Sequence, residues 1–189
     1  MARKQGMLRV RDLTAAGIHP EYLRRLCAAG DLTRLGRGLY APADMELEAH
    51  HSLAEVCKKV PHGVVCLLSA LRFHEIGTQN PSEVWLAIDR KAARPRNPSP
   101  PVHLVRFSGQ ALTYGAEEHR VEGVTVRVYG PAKTVADCFK YRNKIGLDVA
   151  LEALRDVRQR KSVPLNQLWE AARVCRVANV MRPYLEALS

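Results

Sequence analysis

The sequence of 189 residues is long enough for one ordinary domain, or for a small module followed by a medium one. Its hydrophobic fraction of 47% and charged fraction of 25% are typical of globular proteins and exclude long disordered stretches. The 29 Lys and Arg residues outnumber the 19 Asp and Glu residues, which leaves a formal net charge of +10. Such a surface attracts polyanions, most commonly nucleic acid, although a basic protein without that partner has the same composition.

The cysteine content and the absence of long apolar runs restrict the cellular context. The sequence contains an odd number of cysteines with no CxxC pair: Cys27, Cys57, Cys66, Cys138 and Cys175. Zinc ribbons and disulfide frameworks need closer or paired spacing, so we expect reduced, mostly buried thiols. No apolar run approaches the roughly 18 residues of a membrane span, and no signal-peptide core follows the N-terminus. We therefore expect a cytoplasmic protein without a metal site, a cofactor or a membrane contact.

The first 44 residues predict a helix, a turn, a second helix and a two-stranded ribbon. The first helix is expected over 11–16 and the second over 20–29, and a glycine follows each of them. Proline at the start of the second helix costs no hydrogen bond, because the first N–H groups of a helix are unpaired. The ribbon is predicted over 32–35 and 39–40, around a Gly-Arg-Gly turn.

The second helix is amphipathic on a helical wheel. Its apolar face, which we expect to point inward, consists of Tyr22, Leu23, Leu26 and Cys27. Its outward face consists of Glu21, Arg24, Arg25 and Ala28. A helix of this kind fits the major groove of duplex DNA, where arginine pairs with guanine and a small alanine packs on a thymine methyl group.

Further basic residues of this segment are expected to contact phosphates or to enter a minor groove: Arg9, Arg11, Arg34 and Arg37. Residues 1–44 contain eight Lys and Arg and four Asp and Glu, a net charge of +4. Together these features predict a winged helix-turn-helix DNA-binding domain over 1–44. A helical hairpin that binds another protein is the alternative.

Residues 45–189 predict an α+β domain that ends in a C-terminal helical bundle. Helices are expected over 45–59 and 69–74, strands over 83–89 and 102–107, and a hairpin over 120–129. Residues 64–68 fit either a buried strand or the start of the next helix. A basic loop without acidic residues follows Asp89. The bundle is predicted from Pro131 onward, with helices over 147–160, 164–175 and 178–188, the last one interrupted at Pro183.

The densest polar cluster of this second domain lies between Lys133 and Lys144. Four of its residues are spaced four, three and four positions apart: Lys133, Asp137, Lys140 and Lys144. A single helix that carried all four would place them in one stripe. The helix is expected to end near Tyr141, which places Lys144 just beyond it. With Arg142, this stripe predicts a basic face for an acidic protein, RNA or a nucleotide. A surface ion pair without a binding role has the same spacing.

The short segment Asp89-Arg90-Lys91 at a strand end matches the D-x-K fragment of metal-dependent nucleases. Two carboxylates beside a lysine could hold Mg²⁺ and orient a water molecule. Glu75 is the only nearby candidate for the second carboxylate. A magnesium-dependent nuclease with a DNA-targeting module is therefore the alternative function, although three-residue matches are common by chance.

Blocks along most of the chain carry a resemblance to one family. They are Gly30–Leu32, Arg37–Ala41, Leu68–His74, Pro81–Trp85, Pro131–Phe139, Tyr141–Gly146 and Arg182–Glu186. These blocks resemble the AbiEi-type antitoxins of type IV toxin–antitoxin systems, which act in abortive infection and phage defence. That family usually has a further helix before the one predicted here from Arg11.

The lack of recognisable catalytic motifs favours a binding protein over an enzyme, and the resemblance implies two roles for it. The N-terminal module would bind the promoter of its own operon at repeated half-sites, spaced near multiples of about 10 bp, and repress it. The second domain would counteract a nucleotidyltransferase-like toxin, either by direct contact or without it. A further possibility is that the second domain contacts only protein and that the first anchors it to DNA.

Overall fold

The structure, a computed structural model, describes residues 8–15, 17, 19, 21–36, 38–43, 50–95 and 100–188. Arg37 of the predicted ribbon turn lies outside the described residues. So does the predicted helical segment that precedes position 50. The described residues form a mixed α+β fold with two sheets, which confirms the prediction of an α+β protein. Among them, no helix is both long enough and apolar enough to cross a membrane.

The N-terminal segment contains two short helices and a three-stranded antiparallel sheet. Its elements are β1 (Leu8–Arg9), α1 (Val10–Ala15), α2 (Glu21–Ala28), β2 (Leu32–Gly36) and β3 (Leu39–Pro42). The strand order is β1-β3-β2, so β3 lies between the other two. Gly17 and Gly30 follow the two helices with positive φ angles, the conformation that glycine adopts at helix ends without steric cost. Both helix ends agree with the prediction.

The larger part of the chain contains a five-stranded mixed sheet and the remaining helices. The strands are β4 (Val64–Val65), β5 (Val84–Asp89), β6 (Val102–Phe107), β7 (Ala116–Val121) and β8 (Val124–Tyr129). The helices are α3 (His51–Lys59), α4 (Leu67–Phe73), α5 (Gln110–Thr113), α6 (Pro131–Lys140), α7 (Arg142–Ile145), α8 (Leu147–Gln159), α9 (Leu165–Val174) and α10 (Ala178–Ala187). The strand order is β6-β5-β4-β8-β7. The pairs β5–β6 and β4–β8 are parallel, and the other two pairs are antiparallel.

Helices cover both faces of this sheet. On one face, α3 buries Leu53 and Val56 against Leu86 and Val126 of the sheet. On the other face, α4 and α6 lie against the sheet and the bundle of α8, α9 and α10 packs behind them. Leu39 of the N-terminal strand β3 belongs to the first of these apolar clusters. The N-terminal sheet therefore shares part of its core with the larger domain.

The predicted interruption of the last helix at Pro183 is wrong. The helix α10 runs through this residue without a break. Proline removes one hydrogen bond from a helix interior and usually kinks or ends it. Here Met181 and Leu185, on either side of Pro183, are both buried in the bundle core. Burial of two large apolar side chains offsets the loss of a single hydrogen bond.

Three histidines surround the Phe73 ring where α3, α4 and β7 meet. Their ring centroids lie 4.7 Å (His50), 5.2 Å (His74) and 4.8 Å (His119) from that of Phe73. The Nε2 of His74 donates a hydrogen bond of 2.9 Å to the carbonyl oxygen of Tyr129. Burial lowers the pKa of His74, and the nearby His119 and His50 lower it further. The Tyr129 carbonyl and the Glu117 carboxylate oppose this shift.

The lowered pKa of His74 predicts that the fold loses stability in mild acid. Above about pH 6.5, His74 is neutral in both the folded and unfolded chains. Below that value the unfolded chain binds the proton more readily, so the free energy of unfolding falls until the pH passes the folded-state pKa. Urea denaturation at a series of pH values measures this slope. We expect a shallower slope for His74→Gln, whose amide keeps a donor for Tyr129; equal slopes would contradict the assignment to His74.

Candidate nucleic-acid interface

The orientation of α2 differs in part from the helical-wheel prediction. Leu23 is 3% exposed and packs with Leu8 and Leu32, and Cys27 lies partly buried beside them. Tyr22 and Leu26 are instead 57% and 39% exposed. The inward face of α2 is therefore narrower than predicted, and the assignment of these two residues to it is wrong. Among the residues whose burial the structure describes, Leu8 and Leu32 form the core that contacts α2, and they cover the side of the helix that carries Leu23.

The outward face of α2 carries the four predicted side chains, and all of them are exposed: Glu21, Arg24, Arg25 and Ala28. Arg25 lies on the side of the helix opposite Leu23, because residues two apart are separated by about 200°. The Nε of Arg24 lies 3.4 Å from the Glu21 carboxylate, with 84% of the arginine side chain exposed. An ion pair this exposed stabilises by about 1 kcal/mol or less, so a phosphate can replace the carboxylate.

The other predicted basic residues lie on neighbouring elements of the same module. Arg34 is exposed on β2, opposite Tyr40 and next to a bulge between Arg34 and Gly36. Arg11 is exposed on α1, and Arg9 is half-buried on β1. The structure thus distributes positive side chains over a helix pair and a sheet that share one small core. Exposed cations of this kind attract polyanions.

The second predicted site, the basic stripe from Lys133 to Lys144, is not one exposed face. Lys133 and Asp137 are each 1% exposed, whereas Lys140 is exposed at the end of α6. Lys144 is exposed on the separate helix α7, and its Nζ lies 5.6 Å from the Tyr141 ring centroid. The half-buried Arg142 donates from Nη1 to the carbonyl oxygen of Phe139 at 2.9 Å. Of the five predicted residues, only Lys140 and Lys144 are therefore exposed to a partner.

Lys133 and Asp137 form a buried ion pair inside the larger domain. The Nζ of Lys133 donates to Oδ2 of Asp137 and lies 4.7 Å and 4.3 Å from the ring centroids of Phe107 and Tyr129. The Cys175 thiol approaches Oδ1 of Asp137 at 3.2 Å. Burial raises the pKa of the Asp137 carboxyl, while the Lys133 ammonium and the Cys175 thiol oppose that rise. The pair has the contacts of a structural core group, with aromatic rings covering the cation.

The D-x-K fragment has a local structural role. Oδ1 of Asp89 accepts a hydrogen bond of 2.8 Å from the backbone N–H of Lys91, which closes the turn after β5. Nη1 of Arg106 donates to the carbonyl oxygens of Asp89, Arg90 and Ala92 in the same turn. Within the described ranges, no three His, Cys, Asp or Glu side chains come together as a group that could hold a metal ion. No observation here favours the nuclease alternative.

The described residues thus form a mixed α+β protein with an exposed basic helix in its N-terminal segment. Residues 2–43 match a family model described as transcriptional regulator, AbiEi antitoxin. This match confirms the predicted resemblance over the N-terminal segment. The crystal structure of the RV2827C protein from Mycobacterium tuberculosis is similar, with a TM-score of 0.57 and 14% identity over 99% of this chain and 77% of that chain. At such identity the likeness shows the fold alone. No curated protein matches this chain.

The buried ion pair predicts a strong asymmetry between two lysines of the same helix. Lys133→Met leaves Asp137 buried without a counter-charge, which typically costs about 3–5 kcal/mol of unfolding free energy. Lys140→Met, the matched control at an exposed position, should change it by about 0.5 kcal/mol or less. The double variant Lys133→Met, Asp137→Leu should recover much of the loss, because it leaves no unpaired charge. Urea denaturation measures all three, and equal costs at the two lysines would overturn the structural role.

Proposed function

We propose that this protein is a DNA-binding transcriptional autorepressor and an antitoxin of a type IV toxin–antitoxin system. Residues 1–44 would act as a winged helix-turn-helix, with α2 in the major groove and the strands β2 and β3 as the wing. The larger domain would counteract a nucleotidyltransferase-like toxin. The observation that carries the proposal is the exposed arginine face of α2, within a segment that matches a model of antitoxin regulators.

Electrostatics and shape both favour duplex DNA as the ligand of the N-terminal module. Arg24 and Arg25 extend from a helix whose opposite face is anchored by Leu23. Arginine at such a position reaches the O6 and N7 acceptors of guanine in the major groove. Arg34 on the ribbon has the chemistry for a phosphate contact, which positions a protein on the duplex without specifying its sequence. A repressor needs both kinds of contact at its operator.

The combined substitution Arg24→Ala and Arg25→Ala should abolish specific binding. We expect an affinity loss of about 30-fold or more for the duplex upstream of the protein's own gene, because base-edge arginine contacts contribute about 1–3 kcal/mol each. Fluorescence anisotropy across a salt series, against a scrambled duplex, measures this loss. Arg34→Ala should weaken binding to both duplexes alike and make the salt dependence shallower. Equal, steeply salt-dependent binding of the wild type to both duplexes would contradict a repressor role.

The antitoxin role rests on the larger domain, and the exposed cations Lys140 and Lys144 are its proposed contacts. Both residues follow the buried part of α6, where the chain emerges at the surface. Lysines at such positions attract an acidic toxin surface or the nucleic acid and nucleotide that a nucleotidyltransferase uses. Their proposed role differs from that of Lys133, which is enclosed by Asp137 and two aromatic rings.

The two proposed roles should be separable by substitution. In a strain that expresses the neighbouring gene as toxin, Lys140→Ala with Lys144→Ala should reduce growth rescue and leave repression of a promoter reporter unchanged. Arg24→Ala with Arg25→Ala should do the reverse, because it alters only the N-terminal module. Growth rescue and reporter output are measured in parallel at matched protein levels. Loss of both outputs in either double variant would argue against two independent sites.

A further inference from the structure

The exposed apolar pair on α2 has no role in the arginine contacts described above. Large hydrophobic side chains that are exposed in the described residues include Tyr22, Leu26 and, far along the chain, Leu147. Tyr22 and Leu26 are four residues apart, so they lie one above the other on α2. Tyr22 is also three residues from Arg25, which makes the three side chains one continuous strip. The strip therefore combines the guanidinium of Arg25 with the apolar surfaces of Tyr22 and Leu26.

We propose that Tyr22 and Leu26 contact thymine methyl groups in the major groove, beside the base contacts of Arg25. This inference deepens the proposed repressor function and rests on it. The C5-methyl group of thymine is the apolar feature of the major-groove edge, and apolar side chains that bury it discriminate thymine from cytosine and from uracil. Tyr22 is the second residue of α2, and residues near the N-terminus of a recognition helix are those that approach the bases.

Charge favours duplex DNA over a second copy of the chain as the occupant of this strip. A two-fold symmetric dimer places the same patch of both copies together. It would therefore bring Arg25 and the largely exposed Arg24 close to their own copies. Like charges at the centre of an interface oppose association, whereas the same arginines complement the phosphates that line a DNA groove.

The test compares one duplex made in two forms. The DNA upstream of the protein's own gene is synthesised once with thymine and once with uracil, which removes the methyl groups and leaves the hydrogen-bonding edges unchanged. We expect the wild-type protein to bind the uracil form more weakly, by about fourfold for each methyl group that the pair buries. Tyr22→Ala with Leu26→Ala should weaken binding to the thymine form and bind both forms equally.

A matched control separates this effect from a general loss of surface apolarity. Leu147→Ala removes a similarly exposed leucine, 37% exposed on α8, and should keep the wild-type preference for thymine. Circular dichroism checks that each variant is folded, and sedimentation velocity records its oligomeric state. Specific binding with equal affinity for the two forms would overturn this inference and leave the repressor function intact. A preference for the thymine form that persists in the Tyr22→Ala, Leu26→Ala variant would also overturn this inference. The same holds if that variant changes only the oligomeric state, from dimer to monomer. Failure to bind either form specifically would overturn both proposals.

Discussion

The ion pair between Lys133 and Asp137 is the constraint around which the larger domain is arranged. The helix that carries it is buried from Lys133 to Phe139 and packs against the sheet, α4, α8 and α9. Two opposite charges inside such a helix are tolerated only if each has its partner and the remaining polar contacts are made. Phe107, Tyr129 and Cys175 come from three other elements to complete this environment. Other packing arrangements of these elements would leave a buried charge without its partner, so the ion pair disfavours them.

The backbone at Gly115 packs closely against Lys133 of the ion pair. A Cβ atom at Gly115 would lie 2.9 Å from the Cβ of Lys133, and the residue has a positive φ angle. Glycine is therefore the residue that fits between α5 and β7. The turn can then cover the aliphatic stem of the lysine and leave its ammonium facing Asp137. Water is kept from the pair by backbone packing as well as by the aromatic rings.

Local chemistry made much of the fold predictable, but not the surroundings of charged side chains. The helix ends at Gly17 and Gly30 and the strand Val102–Phe107 follow from signals within a few residues, and the structure agrees with them. Asp137 and Lys133 follow the spacing of an ordinary surface pair, and their burial depends on elements distant in sequence. No local signal indicated this burial: the apolar residues Val135, Ala136, Cys138 and Phe139 share one side of α6, so the opposite stripe has the pattern of a solvent-exposed face.

The misassignment of Tyr22 and Leu26 has the opposite cause. A helical wheel assigns every large apolar residue to the core, which is sound only when the core is wide enough to cover them. The N-terminal module buries Leu8, Leu23 and Leu32 and shares the burial of Leu39 with the larger domain. Within the described residues, contact with this core leaves Tyr22 and Leu26 exposed on α2, together with Arg24 and Arg25. The narrow contact between α2 and this core thus leaves the two apolar side chains exposed beside the two arginines.

Net charge overstates the number of basic side chains that can contact a nucleic acid, because some of them are already engaged within the fold. Residues 1–44 hold +4 of the total +10, and the remaining residues hold +6. In the larger domain Lys133 is neutralised inside the core, and Arg106 and Arg142 donate to backbone carbonyl oxygens. A guanidinium bound in this way still attracts a polyanion, but part of its hydrogen-bonding capacity is used within the fold. Arg24 and Arg25 are exposed on α2 and make no such backbone contact among the described hydrogen bonds, so the proposed DNA contacts rest on the smaller charge excess of the N-terminal module.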